Sequence, residues 1–361
     1  MGDDVSDPRV PVPDRLTLAR YAGDGAAYGG VRSVVLDDGS ERGIRVLEFR
    51  TGGGLRFDVL VDRAMDIGLA EFDDVSVGWR SATGFVHPGL HENADEDGLS
   101  WLRSMSGLVV TGGLDHTLFG GEVDASHYAY PPRPTVRHGL HGRVGNIPAR
   151  LIGYGQEWVD GRAVLWAEGE VRQATNFGEH LVLHRRIEVD LGGTEIRLTD
   201  EVRNAGFERT PHMFLYHVNV GWPLLDRGVR FVADIAETLW QTDSVAEQGI
   251  DHLVFDAPVR SAIEQVYEHR LVPDADGRFV VGLHNDTLGL AFELVLDPAA
   301  FPCFFEWLNL REGAWALGLE PSTHHVAGDA AAREDGSMIW LEHGESRRYD
   351  TVFRFSRSTS A

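Results

Sequence analysis

Apolar residues along this chain recur mostly at every second position, in short runs broken by glycine and aspartate. Between Val31 and Arg80 the runs VRSVVL, IRVLEF, LRFDVLV and MDIGLAEF are separated by Asp38-Gly39, by glycines 52–54 and by Asp73-Asp74. Such turn residues between alternating runs predict antiparallel hairpins, because they accept the positive φ that tight turns require. From Ala149 to Asn204 the pattern gives two more. ARLIGYGQEWV turns at Asp160-Gly161 into RAVLWAEGEV, and HLVLHRRIEVDL turns at Gly192-Gly193 into TEIRLTDEV. Leu181, Leu183, Ile187 and Val189 share one parity, and Ile196 and Leu198 the other, so each strand buries one face. Helical periodicity is scarce, and GLSWLRSMSG (Gly98 to Gly107) reads as one short helix. With no repeat and no linker, the pattern predicts an all-β chain. A loose N-terminal segment covers residues 1–15 and a single large antiparallel β domain covers 16–361.

Composition sets the class. At 43% hydrophobic residues, with 17 Phe and 9 Trp, the chain can fill a sizeable core, which excludes global disorder. A formal charge of -23 repels phosphate backbones and anionic lipid, so neither nucleic acid nor a membrane is expected as partner. The one cysteine, Cys303, excludes an internal disulfide framework and any Cys-rich zinc site. No apolar run approaches the roughly 20 residues of a membrane span. The acidic, Pro-rich start MGDDVSDPRVPVPD is the reverse of a signal peptide. A cytoplasmic soluble protein is the expectation.

The 16 histidines cluster. In RHGLHGRVGN (137–146) three glycines let the backbone approach a ligand, and His141 and Arg143, two apart, project from one strand face. The segment reads either as a polyol-binding wall or as a polar loop at a strand end. In PHMFLYHVNVGWP (211–223) Met213, Leu215, His217 and Asn219 share one face. His212, Phe214, Tyr216 and Val218 share the other, which looks core-directed. His217 is then either a hydrogen-bonded core histidine or a functional group in a different environment. In REGAWALGLEPST, Ala316 and Gly318 leave room on the face that carries Glu320, and Pro321 is expected to end the strand there. Glu306 on a neighbouring run is a second carboxylate or a salt-bridge partner. In VDRAMDIG, Arg63 and Asp66 have opposite parity and read either as ion pairing inside the sheet or as ligand contacts.

At these residues the chain resembles the aldose 1-epimerases, the galactose mutarotase-like superfamily, and most of all a bacterial branch known only as a domain of unknown function. The markers, in order, are VDRAMDIG, SGLVVTGGLDH (Ser106 to His116), HGLHGRVGN, YHVNVGWP and LGLEPST, within a likeness running from about Val31 to Phe355. The resemblance implies a large twisted antiparallel β-sandwich (a supersandwich) with few short helices and a sugar cleft across one sheet. It implies that His217 is the general acid and Glu320 the general base of ring opening. His141, Arg143 and His212 would hold ring hydroxyls, with Asn219, Arg63 and Glu306 also in the substrate-binding set. Trp222 and Trp307 offer faces for stacking. The wording His-Val-Asn-Val-Gly departs from the His-Pro-Tyr-Phe-Asn of the galactose enzymes, and Asp66 and Asp251 are the candidates for the family's sugar-binding aspartate.

On this reading ionised Glu320 takes the anomeric proton while protonated His217 gives one to the ring oxygen, across a hollow wide enough for a hexose. The rate is expected to peak between the ordinary carboxylate and imidazole values, roughly 4.3 and 6.5. Two positioned proton transfers suffice, so the expected ligand is a small sugar, with no cofactor and no metal. The alternatives are another sugar isomerase, epimerase or lyase acting on a modified sugar, a non-catalytic carbohydrate-binding domain, and a metal-dependent β-sandwich enzyme. Against the last stands the lack of a compact His-x-His plus Glu grouping in the sequence.

Overall fold

The computed structural model describes residues 12–93, 95–128, 134–248 and 251–357. Residues 1–11, most of the expected loose segment, lie outside the described residues, and Asp14 already caps a helix over Arg15–Tyr21 by accepting from the Thr17 backbone N–H. The hairpins expected from the sequence are present. Gly30–Val35, Arg45–Arg50, Leu55–Leu60, Asp66–Phe72 and Val75–Ser76 form a five-stranded antiparallel sheet in that order. Arg150–Val159 with Arg162–Ala174, and His180–Asp190 with Glu195–Asn204, make half of an eight-stranded sheet. Its other half is Arg230–Ala233, Phe279–Asn285, Leu290–Leu296 and Ser346–Arg357. Asp160 and Gly161 both take positive φ, 50° and 81°, as a two-residue hairpin turn of this hand demands.

A third, seven-stranded sheet has these strands in chain order: β1 (Val109–Leu114), β2 (Thr210–Gly221), β3 (Ile235–Gln241), β4 (Gln265–Leu271), β5 (Cys303–Arg311), β6 (Ala314–Ser322) and β7 (Ile339–Leu341). The pairing order is β3-β4-β5-β6-β2-β7, with β1 also paired to β2. One continuous cluster of buried side chains draws on all three sheets and forms the core of an antiparallel β-sandwich.

β2 is buried along its whole length, one face in that core. His212, Phe214, Tyr216 and Val218 point inward, as their shared parity predicts, and Met213, Leu215, His217 and Asn219 occupy the other face. Inside the sandwich a buried ionic chain ties the sheets together. Arg185 on the eight-stranded sheet reaches Asp66 at 2.8 Å and holds Asp200 through two bonds of 2.8 and 2.7 Å, while the Tyr216 hydroxyl donates to Asp200 at 2.6 Å. One guanidinium between two carboxylates is tolerable at such depth because every member is hydrogen-bonded.

Helix is sparse, as expected. Gly98–Gly107, however, is no continuous helix. Two short 3-10 turns, Glu96–Gly98 and Ser100–Arg103, stand there, and Asp97 adopts a left-handed φ of 57° within the first. The α-helices Asp243–Gln248 and Gly328–Asp335 carry no clear signal in the sequence. No helix among the described residues is long and apolar enough to cross a membrane.

Candidate active site

β2 and β6 run antiparallel with Val218 opposite Leu319 and Asn219 opposite Gly318, which sets His217 facing Glu320 on the side of the sheet away from the main core. Side chains opposed in this way come within contact distance. Nε2 of His217 lies 3.1 Å from Oε1 of Glu320. Gly318 keeps the approach open: a β-carbon there would stand 2.8 Å from Cε1 of His217 and 3.1 Å from Oε1 of Glu320. The strand does not stop at Pro321, because β6 continues to Ser322 with Pro321 opposite Phe304 of β5.

Aromatic rings wall the pair. Trp307 of β5 meets the His217 ring edge-on at 5.3 Å, and Trp101, from the turn at Ser100–Arg103, lies 5.3 Å from His217 and 4.7 Å from His141. The His141 ring stands perpendicular to that of His217 at 5.7 Å. Met105, Val110 and Ala316 complete this small apolar cluster. His217 and Glu320 are consequently only 2% and 3% exposed. The expectation of a hexose-wide hollow between them is corrected: cross-strand neighbours on one face touch.

His141 reaches the pair from a turn instead of a strand. Its φ is 54° and that of Gly142 is 74°, and a β-carbon on Gly142 would sit 2.4 Å from the carbonyl oxygens of Gly113 and His116. The turn separates His141 from Arg143, so the reading that both project from one strand face does not hold. Arg143 contacts Nδ1 of His138 at 3.5 Å. His138 stacks on His116 at 4.7 Å and lies 3.9 Å from Asp115, in a buried polar group of its own.

The other residues singled out from the sequence occupy varied places. Asn219 shares the face of His217 and donates to the carbonyls of Gly107 and His217, both at 3.1 Å. His212 turns into the core, where Nδ1 donates to the Leu114 carbonyl at 2.8 Å and Nε2 accepts from the Tyr349 hydroxyl at 2.6 Å. Asp66 belongs to the buried chain of Arg185. Arg63, also buried, donates to the carbonyls of Gly145, Val86 and Ser104 at 2.9, 3.2 and 2.8 Å. Glu306 is opposite Leu319 and so points from the reverse face of β5, toward His252 and His269. Trp222 is two-thirds exposed and Asp251 is exposed. The structure thus gathers His141, His217, Asn219 and Glu320, and it holds His212, Asp66, Arg63 and Glu306 in other surroundings. Trp101 and Glu264, whose carboxylate accepts from the Trp307 indole at 2.7 Å, had no signal in the sequence, since both come from aperiodic segments.

Burial controls the charge of the pair. It pushes the His217 imidazole down to about 3, with the Asn219 amide opposing. It raises the Glu320 carboxyl well above the usual range, and the Glu264 charge adds to this. His141 is lowered well below its ordinary value by burial and then by His217 and His116. Two groups in contact share one bridging proton, and desolvation favours the neutral arrangement, in which the Glu320 O–H donates to Nε2 of an uncharged His217.

The ligating atoms of His141, His217 and Glu320 all lie within 4.8 Å of one another. Folding therefore assembles the compact two-histidine, one-carboxylate grouping that the linear sequence lacks, and the argument from spacing against a divalent cation falls. Such a set is of the kind that holds zinc with a fourth position open.

A family model described as a domain of unknown function, DUF4432, matches residues 41–355. No curated protein matches the sequence. Among solved structures, the chain is similar to a candidate aldose 1-epimerase from Klebsiella pneumoniae, with a TM-score of 0.79 at 21% identity over 91% of this chain and 83% of that one. It is also similar to a galactose mutarotase-like protein from Clostridium acetobutylicum (TM-score 0.62, 11% identity, 91% and 98% covered). A galactose 1-epimerase from Lactobacillus acidophilus gives a TM-score of 0.54 at 12% identity, with 91% and 99% covered. At these identities the likeness carries the fold.

Proposed function

Because the chain belongs to the DUF4432 family and has the mutarotase-like fold, we propose that it is an aldose 1-epimerase-like isomerase, exchanging sugar anomers by proton transfer at His217 and Glu320. The observation that carries this reading is the 3.1 Å contact of an imidazole and a carboxyl group, shielded from solvent on one sheet face. A sugar has no need to sit between them. The anomeric hydroxyl and the ring oxygen are bonded to the same carbon, so one edge of the ring presents both to two adjacent groups.

From the neutral form of the pair, His217 takes the anomeric hydroxyl proton and Glu320 gives its proton to the ring oxygen. The C1–O5 bond breaks as the C1–O1 carbonyl forms. Rotation about C1–C2 presents the other carbonyl face, and O5 attacks it, returning its proton to Glu320 while His217 reprotonates O1. The charged form of the pair runs the same cycle with roles exchanged, and the two forms alternate because each opening step converts one into the other. Burial favours starting from the neutral one. Asn219 and His141 flank the pair as candidate partners for sugar hydroxyls.

Glu320→Gln and His217→Asn, assayed by polarimetry on an anomerically pure sugar, are each expected to lose roughly 10²–10⁴-fold in kcat. Full rate in either variant removes the assignment. The pair changes its total proton count only at the lowered His217 value of about 3 and at the raised Glu320 value. The rate of the wild type is therefore expected to stay level through ~4.3, where ordinary carboxylates titrate, and to change on the alkaline side only as Glu320 loses its proton. A break near ~4.3 would point to a different acid–base pair. The second reading, a metal-dependent sugar isomerase or lyase, draws on the grouping of His141, His217 and Glu320. Loss of activity on chelation, restored by a divalent metal, would favour it.

A further inference from the structure

On the reverse face of β5, away from the Glu320 pair, a second group of ligand-type side chains is assembled from three separate segments. Glu306 of β5 is wholly buried, and its Oε2 lies 2.7 Å from Nδ1 of His252 and 3.0 Å from Nε2 of His269 on β4. The two imidazole rings are 4.9 Å apart. Among the described residues, Oε1 of the same carboxylate has no hydrogen-bond partner. A buried carboxylate with one oxygen crowded by two imidazoles and the other unmatched is costly to hold unless something further engages it.

We propose that His252, His269 and Glu306 bind one divalent transition-metal ion, zinc by the chemistry of the ligand set, fastening the segment at His252 to strands β4 and β5. Two imidazole nitrogens and a carboxylate, all within 4.8 Å, are a three-ligand zinc set that leaves a fourth position for water. Nδ1 of His269 lies 3.1 Å from the Thr238 hydroxyl on β3, an outer partner that fixes the ring with Nε2 turned to the site. His252 is the one partly exposed member, its side chain 18% accessible, and it supplies the path from solvent. The remaining group of this kind among the described residues, Glu268, Cys303 and His325, lacks the unmatched atom. Both Glu268 oxygens are engaged, by His325 and by the Val326 backbone N–H, and burial pushes the Cys303 thiol up to about 12. Three ligands from distant parts of the chain meet only in the folded state, so metal binding adds to the stability of the fold.

The test is a Zn²⁺ titration of chelator-stripped protein by calorimetry, with Co²⁺ absorption as a second readout of the ligand field. It is run on Glu320→Gln, which disables the grouping at the candidate active site. One equivalent is expected to bind, to raise the melting temperature, and to be lost when His252→Ala is added. Thr238→Val in the otherwise unchanged chain is expected to weaken that binding by about 10–100-fold. Absence of stoichiometric binding in Glu320→Gln, or binding that His252→Ala leaves intact, overturns the proposal.

Discussion

Gly318 sets how closely the imidazole and carboxyl groups of β2 and β6 can be aligned. Adding one methyl group there would drive it to 2.8 Å from a ring carbon of His217 and 3.1 Å from the β-carbon of Trp307. The ring has little room to retreat, because Trp101 and Trp307 flank it. Gly318→Ala is therefore expected to displace the imidazole and lower kcat by roughly 10²-fold, since misplacement of about 1 Å is enough for that. The loss should exceed any change in KM, and the melting temperature should fall only slightly. Polarimetry alongside a thermal melt checks this, and an unaltered kcat would mean that the spacing of the pair is not critical. This glycine was legible from alternation alone, as was the division of β2 into a face with His217 and Asn219 and a core face with His212. Parity within one strand survives folding. Parity between strands is not written in the chain, and so the sequence leaves Glu306 open between a second carboxylate beside Glu320 and a salt-bridge partner; the register of β5 on β6 sets the two on opposite faces, with Glu306 against His252 and His269.

Arg63 organises aperiodic segments that flank the candidate site. Its guanidinium donates to Ser104, just after the turn bearing Trp101, to Gly145, just after the turn bearing His141, and to Val86. No carboxylate among the described residues bonds to it, and burial pushes it down to about 10 against the opposing charge of Asp66. Arg63→Met leaves three carbonyl oxygens without that donor, at ~1–3 kcal/mol each. A loss of at least about 3 kcal/mol in denaturant unfolding is expected, with KM raised more than kcat is lowered, because the walls loosen while the pair stays on its strands. An unchanged unfolding midpoint would show that these carbonyls find other donors. Strand elements were readable because their turns are marked by residues such as Asp160-Gly161 and Gly192-Gly193, whose conformations leave few options. The segments held by Arg63 were not readable in the same way. Val61–Met65 bends with Ala64 and Met65 at φ of 52° and 58°, so strand parity has no meaning there. His141 likewise sits at a left-handed turn that only the packing against Gly113 and His116 requires.

For the molecule as a whole, the same desolvation that tunes the pair is repeated at many buried sites. Burial is the main cause holding nine histidines, 91, 116, 127, 138, 141, 180, 212, 217 and 324, below their ordinary value. In the unfolded chain each takes up a proton near ~6.5, whereas the folded protein resists it until lower pH. Below that point the unfolded state binds more protons, and stability falls with pH. Four carboxyls, half-buried Asp58 and buried Asp66, Glu179 and Glu320, are raised and act in the opposite sense. The stability they contribute is full below the unfolded carboxylate range and is lost as pH rises through their folded values, about 7 for Asp58 and Glu179. His252, raised beside Glu306 against the opposing effect of burial, acts in the same sense but only above ~6.5. Between roughly pH 4.5 and 6.5 His252 is protonated in both states and adds no slope, so the nine imidazoles stand against the four carboxyls, and the melting temperature is expected to drop as pH is lowered from 7 to 5. Shedding part of the -23 surface charge on acidification relieves repulsion and works against this. That contribution is damped in ~0.15 M salt, where screening acts over about 8 Å, while protonation of buried rings is hardly screened. Calorimetry across this range at that ionic strength separates the two: a melting temperature that rises on acidification would mean surface repulsion outweighs the cost of keeping these imidazoles neutral.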